Sequence, residues 1–249
     1  MVLQKAIIFN KKNFRENDRF YLVFTKDQGK LELLGRGTRK KKSKLAGLLE
    51  PISLAEINYI PGRFFNTITS VNVIKYFKKS SFDPAINIWL GPLIEILNKQ
   101  IKEKEKDERI FYLLTELFKL LEGTVNKNKQ KIIILASIWQ IVALLGYKPE
   151  LYSCRKCGQS LKPEKTGFSY KDKGLLCLAC AKNKKNLVSA NIIKILRLFL
   201  SHRLKKVAKL KTKKEDIIEI IKITYHYVTY IFETEFSSFK FIKSLKTYK

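Results

Sequence analysis

The residues best suited to chemistry in this chain are its four cysteines, which fall into two close pairs. Two residues separate Cys154 from Cys157 and Cys177 from Cys180, and 19 residues lie between the pairs. Each pair can present two thiolates from one tight turn, and two such turns complete a tetrahedron. Gly158 follows the first pair, where a tight turn favours a small residue. The spacing predicts one structural Zn²⁺ ion held by these four thiolates.

A metal site of this kind does not predict catalysis. Four cysteine ligands close the coordination sphere, whereas a catalytic zinc keeps one position open for water or substrate. The histidines, His202 and His226, both follow the cysteines, and neither begins a His-x-Glu motif. The chain has no Walker phosphate loop. We therefore predict a protein that is not an enzyme and has no catalytic residues. Two pairs of unligated thiols, or disulfides, are the alternative to zinc.

The charge of the chain predicts a polyanionic partner. Fifty Lys and Arg stand against 22 Asp and Glu, a formal net charge of +28. The net charge is +11 in residues 1–80, +1 in 81–150, +5 in 151–183 and +11 in 184–249. Such a field attracts nucleic acid, an anionic membrane surface or an acidic protein tail. We expect no membrane binding, because the basic residues do not line one amphipathic helix. Paired cysteines favour a reducing, cytoplasmic location.

The strongest local concentration of charge is a loop in the first third of the chain. Six of the nine residues in 36–44 are basic, and no acidic residue occurs from 33 to 49. Such a loop could follow a phosphate backbone and release counterions as it binds, although a mobile, solvated loop is the alternative. The predicted nucleic-acid contacts are Lys11, Lys12, Arg15, Arg19, Arg36, Arg39, Lys40, Lys41, Lys42 and Lys44.

The elements that must position this loop have strand character. Segments 3–9, 19–25, 30–36, 52–60 and 64–77 are rich in Ile, Val, Phe, Tyr and Thr. Gly29 and the Pro61-Gly62 pair mark turns between them. Five short strands in about 75 residues predict an OB-type β-barrel, a fold that commonly binds single strands. An SH3-like barrel would give a similar pattern.

The rest of the chain has helical periodicity around the cysteine segment. Asp83-Pro84 predicts a helix start, and Pro92 predicts that this helix breaks or restarts there. Further helices are predicted over 107–122, 129–145, 190–201, 212–235 and 238–245, with a capping box over 212–215. Segments 167–170 and 174–177 predict the hairpin of a zinc ribbon.

Together these elements predict an α+β chain in three parts. A five-stranded OB-type barrel occupies residues 1–80. A helical domain follows in 81–150 and 184–249, and a four-Cys zinc ribbon is inserted at 151–183. The long apolar segment 132–145, with Trp139, is predicted to be a core helix.

Several short motifs in the first part carry a family resemblance. They are Asn17-Asp18-Arg19, Gly29-Lys30, Gly35-Arg36-Gly37 and, most specific, the run 43–51, Ser-Lys-Leu-Ala-Gly-Leu-Leu-Glu-Pro. These residues resemble the RecO family of recombination mediators, and the zinc ribbon after a helix is another trait of that family. The order of the later helices also matches.

The resemblance implies a function and a set of partners. A RecO protein anneals complementary strands and helps load RecA onto single-stranded DNA coated by its binding protein, SSB, in the RecF/RecO/RecR pathway of DNA repair. The implied partners are single-stranded and double-stranded DNA, RecR and the acidic SSB C-terminal tail, with RecF and RecA as further candidates. The implied location is the nucleoid. Two other functions also fit the residues: an RNA-binding zinc-ribbon factor of translation or ribosome assembly, and an enzyme that processes nucleic acid.

Overall fold

The structure, a computed structural model, describes residues 1–78, 83–181 and 186–244. The chain divides into two compact units, Met1–Gly123 and Thr124–Lys249. The two helices that follow the barrel therefore belong to the barrel's unit. The predicted part boundaries at 80/81 and 183/184 lie outside the described residues, and the three-part division stays a prediction.

The first unit begins with a closed five-stranded barrel, as the sequence predicts. Its strands are β1 Val2–Phe14, β2 Asp18–Thr25, β3 Gly29–Gly35, β4 Ser53–Ile60 and β5 Asn66–Tyr76. Strands β1 and β2 form a hairpin, β3 follows β2, and β1 also pairs with β4, so that the sheet order is β1-β2-β3-β5-β4. Strand β5 runs antiparallel to β4 and closes the barrel by pairing in parallel with β3. This closure favours the OB-type barrel over the SH3-like alternative.

The barrel interior is filled by side chains that alternate along the strands. Tyr21 and Val23 of β2 point inward and pack with Leu31 and Leu33 of β3. Their neighbours on the opposite face, such as Phe24, are also buried. The outer face of β2 is therefore not solvent-exposed, which explains why the hydrophobic pattern of this strand does not alternate cleanly.

Helix α1, Lys44–Leu48, follows the basic loop, and helix α2, Pro84–Gln100, follows the barrel. The Asp83 carboxylate caps α2 by accepting a hydrogen bond of 2.8 Å from the Ala85 N–H. The prediction that Pro92 breaks this helix is wrong, because α2 continues through it with Pro92 buried. Gly91 precedes the proline and has no Cβ, which removes part of the steric conflict that normally disfavours helix before proline.

Helix α3, Glu108–Gly123, and the end of α2 pack against the barrel within the first unit. The Lys30 ammonium donates a 2.7 Å hydrogen bond to the carbonyl of Asn98, and burial lowers the pKa of Lys30. Gly29 has a φ of 69°, and a Cβ at this position would lie 1.9 Å from the carbonyl oxygen of Glu105. The turn thus needs glycine both for its conformation and for the close approach of the chain.

The core of the second unit is the apolar helix α4, Lys127–Val142, which continues into a π-helical turn, Ala143–Tyr147, around Gly146. Residues Lys127–Tyr147 are long and apolar enough to cross a membrane by length and composition, but 61% of the most apolar stretch is buried inside the unit. Trp139 is buried, stacks on Tyr227 at 5.1 Å and donates a 2.9 Å hydrogen bond to Thr224 Oγ1. The prediction of a core helix is confirmed.

The remaining elements of the second unit surround the cysteine segment. They are β6 Thr166–Ser169, β7 Gly174–Leu176, β8 Leu187–Val188, α5 Ala190–Ser201, α6 Leu204–Val207, α7 Lys214–Phe232 and α8 Ser237–Ser244. The three strands form one sheet in the order β7-β6-β8. Position 245, where the last helix was predicted to end, lies outside the described residues.

One predicted helix cap is wrong by one residue. The capping box was placed over 212–215, but the helix that it opens, α7, begins at Lys214 with Lys213 as its N-cap. The Asp216 carboxylate, three residues after that cap, accepts a 3.1 Å hydrogen bond from the Lys213 N–H. An acidic side chain in this register satisfies the helix start better than Glu215, which lies one position too early.

Candidate metal centre and nucleic-acid interface

Each cysteine pair lies on a tight turn that its own backbone holds closed. In the first turn, the Gly158 N–H donates to the Cys154 carbonyl at 2.9 Å, and the Cys154 N–H donates to Gln159 at 2.8 Å. Gly158 has a φ of 75°, which explains the glycine after the pair. In the second turn, the Cys180 N–H donates to the Cys177 carbonyl at 3.1 Å. Each turn therefore presents two thiols from a backbone that its own hydrogen bonds hold in place.

The two turns bring the four sulfurs into one cluster. Their Sγ atoms all lie within 4.8 Å of one another, and those of Cys157 and Cys177 are 3.8 Å apart. A tetrahedron with Zn–S bonds of about 2.3 Å requires sulfurs about 3.8 Å apart. A disulfide would need about 2.05 Å, and the four cysteines are free thiols. The residues therefore fit a tetrahedral metal ion, and zinc remains the predicted identity.

The electrostatics of the cluster favour a cation. Burial opposes ionisation of Cys154, but backbone N–H groups of Cys157, Cys177 and Lys156 outweigh it and lower its pKa to about 6. Hydrogen bonds with the Cys177 and Cys157 side chains raise the pKa of Cys180 to about 12. The close sulfurs thus favour a protonated Cys180, because adjacent thiolates would repel one another. A divalent cation supplies the charge that lets all four thiols ionise.

The cysteine segment is fastened to helix α5 by one arginine. The Arg197 guanidinium donates to the Leu151 carbonyl from Nε at 3.0 Å and from Nη2 at 2.7 Å. The same Nη2 donates to the Leu161 carbonyl at 2.7 Å, and the guanidinium lies 4.4 Å from the ring centre of Tyr152. Leu151 and Leu161 flank the first cysteine turn, so Arg197 holds both of its ends.

We predict that Arg197→Lys lowers the free energy of unfolding by about 1–3 kcal/mol, because an ammonium cannot bond both carbonyls and stack on the ring. The measurement is denaturant unfolding, together with the rate at which a chelator removes metal, which we expect to rise. The control is Arg203→Lys, since Arg203 is exposed and lies between α5 and α6. Equal stability of the two variants would show that the arginine contacts do not hold the turn.

The basic loop of the barrel, residues 36–44, is held against the turn between β1 and β2. The Gly37 N–H donates to the Asp18 carboxylate at 2.8 Å, and the Arg39 N–H donates to the Asn17 carbonyl at 2.9 Å. Thr38 is buried, and its hydroxyl donates to the Gly35 carbonyl at 2.9 Å. The first half of the loop is therefore anchored, and its charged side chains extend from a defined backbone.

Three of the predicted contact residues meet where these two segments join. The Arg39 guanidinium donates to the Arg15 carbonyl at 2.6 Å, and that of Arg19 donates to the Thr38 carbonyl at 3.1 Å. The side chains that are exposed on the basic loop are Arg36, Arg39, Lys40, Lys41, Lys42 and Lys44. We call these six exposed side chains the cationic rim, and their contact with nucleic acid stays a prediction.

The two predicted lysines of β1 have acidic partners of their own. Lys11 forms an ion pair with Glu50 at 2.7 Å, and Lys12 lies 4.0 Å from Glu32. Part of their charge is thus neutralised within the barrel. We expect smaller contributions to polyanion binding from these two residues than from the loop.

The same rim also carries an aromatic cluster that the sequence pattern does not predict. Phe65, from the loop between β4 and β5, lies 5.5 Å from Phe14 and 5.2 Å from Phe20, measured between ring centres. Phe64 beside it is exposed, although a strand was predicted to begin there. The signal was present in the Arg63-Phe64-Phe65 run directly after the Pro61-Gly62 turn.

The fold and the site together define a class: a basic OB-type barrel protein with a helical second unit that carries a four-cysteine cluster able to hold a metal ion. Residues 1–77 match the family described as Recombination protein O N terminal, and residues 81–238 match Recombination protein O C terminal. The chain therefore belongs to the RecO family, a family of recombination proteins that act in DNA repair.

Full-length relatives agree with this assignment. The chain is 25% identical to DNA repair protein RecO of Caldicellulosiruptor bescii over 99% of both chains. It is 25% identical to the protein of the same name from Acetivibrio thermocellus, over 98% of this chain and 97% of the relative. It is 28% identical to that of a Thermoanaerobacter species over 97% of both. The family prediction is confirmed.

Proposed function

We propose that this protein is a DNA-binding recombination mediator that anneals complementary strands and helps load RecA onto SSB-coated single-stranded DNA. The observation that carries the proposal is the anchored basic loop at the barrel rim, with the Arg39 N–H on Asn17 and the Gly37 N–H on Asp18. A loop whose first half is anchored can present its cations to a phosphate backbone with a smaller loss of entropy than a fully mobile loop.

The charge of both units supports annealing. Residues 1–123 carry a formal net charge of +9 and residues 124–249 carry +19. Two cationic units on one chain can each hold a strand, which offsets the phosphate repulsion that keeps complementary strands apart. No step in this function breaks a covalent bond. The closed thiolate set agrees with that, because a metal ion held there would stabilise the fold and leave no position for a substrate.

The proposed partners follow from the family. They are RecR, the acidic C-terminal tail of SSB, and RecF and RecA at the loading step, on single-stranded and double-stranded DNA inside the cell at the nucleoid. A cationic protein suits an acidic tail, since opposite charges speed encounter and fix orientation. RecR, RecF and RecA are assigned from the family alone.

We predict that the protein accelerates the annealing of complementary strands already coated with SSB. Deletion of the SSB tail should abolish most of this acceleration. The measurement is the annealing rate of labelled oligonucleotides, with naked strands as the control for annealing itself. Annealing of naked strands alone would leave the SSB tail without a role. Failure to anneal either substrate at low salt, stronger binding of RNA than of DNA at matched salt, or multiple-turnover cleavage would overturn the proposal.

A further inference from the structure

The aromatic cluster on the barrel rim joins two loops that are far apart in sequence. The ring centres of Phe14 and Phe20, on the β1–β2 hairpin, are 4.4 Å apart. Phe65, on the β4–β5 loop, packs its ring edge-on against both. Such packing stabilises aromatic rings beyond their burial. The three rings therefore fix the β4–β5 loop against the hairpin and form a firm base for the residues beside them.

Phe64 stands on this base with its ring in solvent. It is 79% exposed, whereas Phe65 is 41% exposed. The Arg63 guanidinium lies over the Phe64 ring at 5.3 Å from its centre. Because this apolar ring is mostly exposed to water, it contributes little to the stability of the fold. It offers a flat face with a positive charge beside it.

A groove of about 420 Å³ opens beside this ring, within the size range of sites that bind small ligands. Its walls include Leu34, Ile60, Thr67 and the two phenylalanines, and its charged residues are Arg36 and Arg63. None of the residues that line it in the described part of the chain is acidic. The groove therefore combines apolar and aromatic walls with two cations.

The groove is continuous with the basic loop, because Arg36 lines the groove and is also the first residue of that loop. A ligand that runs along the loop would reach the groove with its next segment. That ligand needs flat, apolar groups at intervals along a chain of negative charges. Single-stranded DNA has this chemistry, since each base presents a π-face and each linkage a phosphate.

We propose that the β4–β5 loop is a base-stacking subsite, in which Phe64 stacks on an unpaired nucleobase while Arg63 and Arg36 hold the neighbouring phosphates. This inference rests on the proposed function and extends it. Bases in a duplex are stacked on one another and offer no free face at this groove. The subsite therefore makes the barrel prefer single strands to duplex DNA, which the basic loop alone would not do, since phosphates are common to both.

The test compares Phe64→Ala with Tyr112→Ala in the full-length protein. Tyr112 is a matched control because it is 53% exposed in the same unit and also has a cation, Lys26, over its ring at 5.8 Å. We expect Phe64→Ala to weaken binding of a single-stranded oligonucleotide about 5- to 150-fold, the usual range for loss of one stacked base. Its affinity for duplex DNA and its salt slope should stay at the wild-type values. Tyr112→Ala should bind both as the wild type does.

A second variant, Phe64→Trp, reports on the occupant directly. We expect it to keep single-strand affinity and its fluorescence to change on oligonucleotide binding. Unchanged single-strand affinity in Phe64→Ala would overturn the subsite, and so would a tryptophan signal that responds to an acidic peptide and not to the oligonucleotide. Either result leaves the proposed function standing if the wild type still binds and anneals single strands. A wild-type protein that neither binds nor anneals single strands would contradict the proposed function itself.

Discussion

Replacing Cys154 and Cys157 together with serine should remove the metal and unfold much of the second unit. Structural zinc sites contribute about 10–16 kcal/mol of apparent binding free energy in small zinc domains, which equals or exceeds the stability of a typical domain. The wild type should contain one zinc per chain by metal analysis, and the double variant none. Thermal unfolding and far-UV circular dichroism should show a lower melting temperature and less helix.

A single-ligand exchange provides the control for this experiment. Cys157 is exposed, so Cys157→His replaces one thiolate with another zinc ligand at a position with room for the ring. That variant should keep the metal and most of its stability. If fresh wild-type protein contains no zinc, or if the serine variant melts at the wild-type temperature, the four-thiolate centre is not a structural zinc site.

Changing Arg39, Lys40, Lys41 and Lys42 to glutamine should weaken binding of single-stranded DNA and flatten its dependence on salt. Each phosphate contact on a single strand adds about 0.7 to the slope of log affinity against log salt. Loss of two to four contacts should therefore lower the slope by about 1.4–2.8 and the affinity in 0.1 M salt by roughly 25- to 600-fold. Fluorescence anisotropy over a salt series measures both.

Four exposed lysines outside the rim provide the matched control for that variant. Glutamine at Lys102, Lys104, Lys119 and Lys129 removes the same total charge from residues near the neutral middle of the sequence. The affinity of this control for single-stranded DNA should fall only slightly, because its net charge is lower. Its salt slope should stay close to that of the wild type. Equal losses in the two variants would mean that binding follows overall charge and has no defined place on the basic loop.

The features predicted from sequence are those that short stretches of chain determine. Strand composition and turn residues such as Gly29 were sufficient for the barrel, and the spacing of the cysteines was sufficient for the four-sulfur cluster. These signals are local, because strand and turn preferences and the geometry of a two-residue thiol turn depend on neighbours in sequence. The core helix around Trp139 followed from its apolar composition for the same reason.

Two of the missed features, the Arg197 contacts and the aromatic cluster, depend on partners distant in sequence, whereas the mistake at Pro92 is local. Arg197 reads as an ordinary cation on an amphipathic helix until the Leu151 and Leu161 carbonyls are placed beside it. The Phe14–Phe65 contact joins residues that only the barrel brings together. Pro92 was judged by the rule for proline alone, without the effect of the preceding glycine. Helix and strand propensities describe a residue together with its neighbours in sequence. Tertiary contacts determine the positions of Arg197 and Phe65, and the missing Cβ of the preceding glycine explains why the helix continues through Pro92.

The way in which the barrel closes has a consequence for its motions. Strands β3 and β5 meet over a short seam, where Leu33 faces Asn66 and Leu34 faces Thr67, while the β1–β2 hairpin is paired along its length. Local opening needs the least energy where the fewest backbone hydrogen bonds must break, so amide protons at this seam should exchange fastest in the barrel. The groove beside Phe64 lies over the seam, since Leu34 and Thr67 line both. A ligand bound there would contact both strands and stabilise their pairing. Part of its binding free energy would then be measured as slower amide hydrogen exchange at the seam.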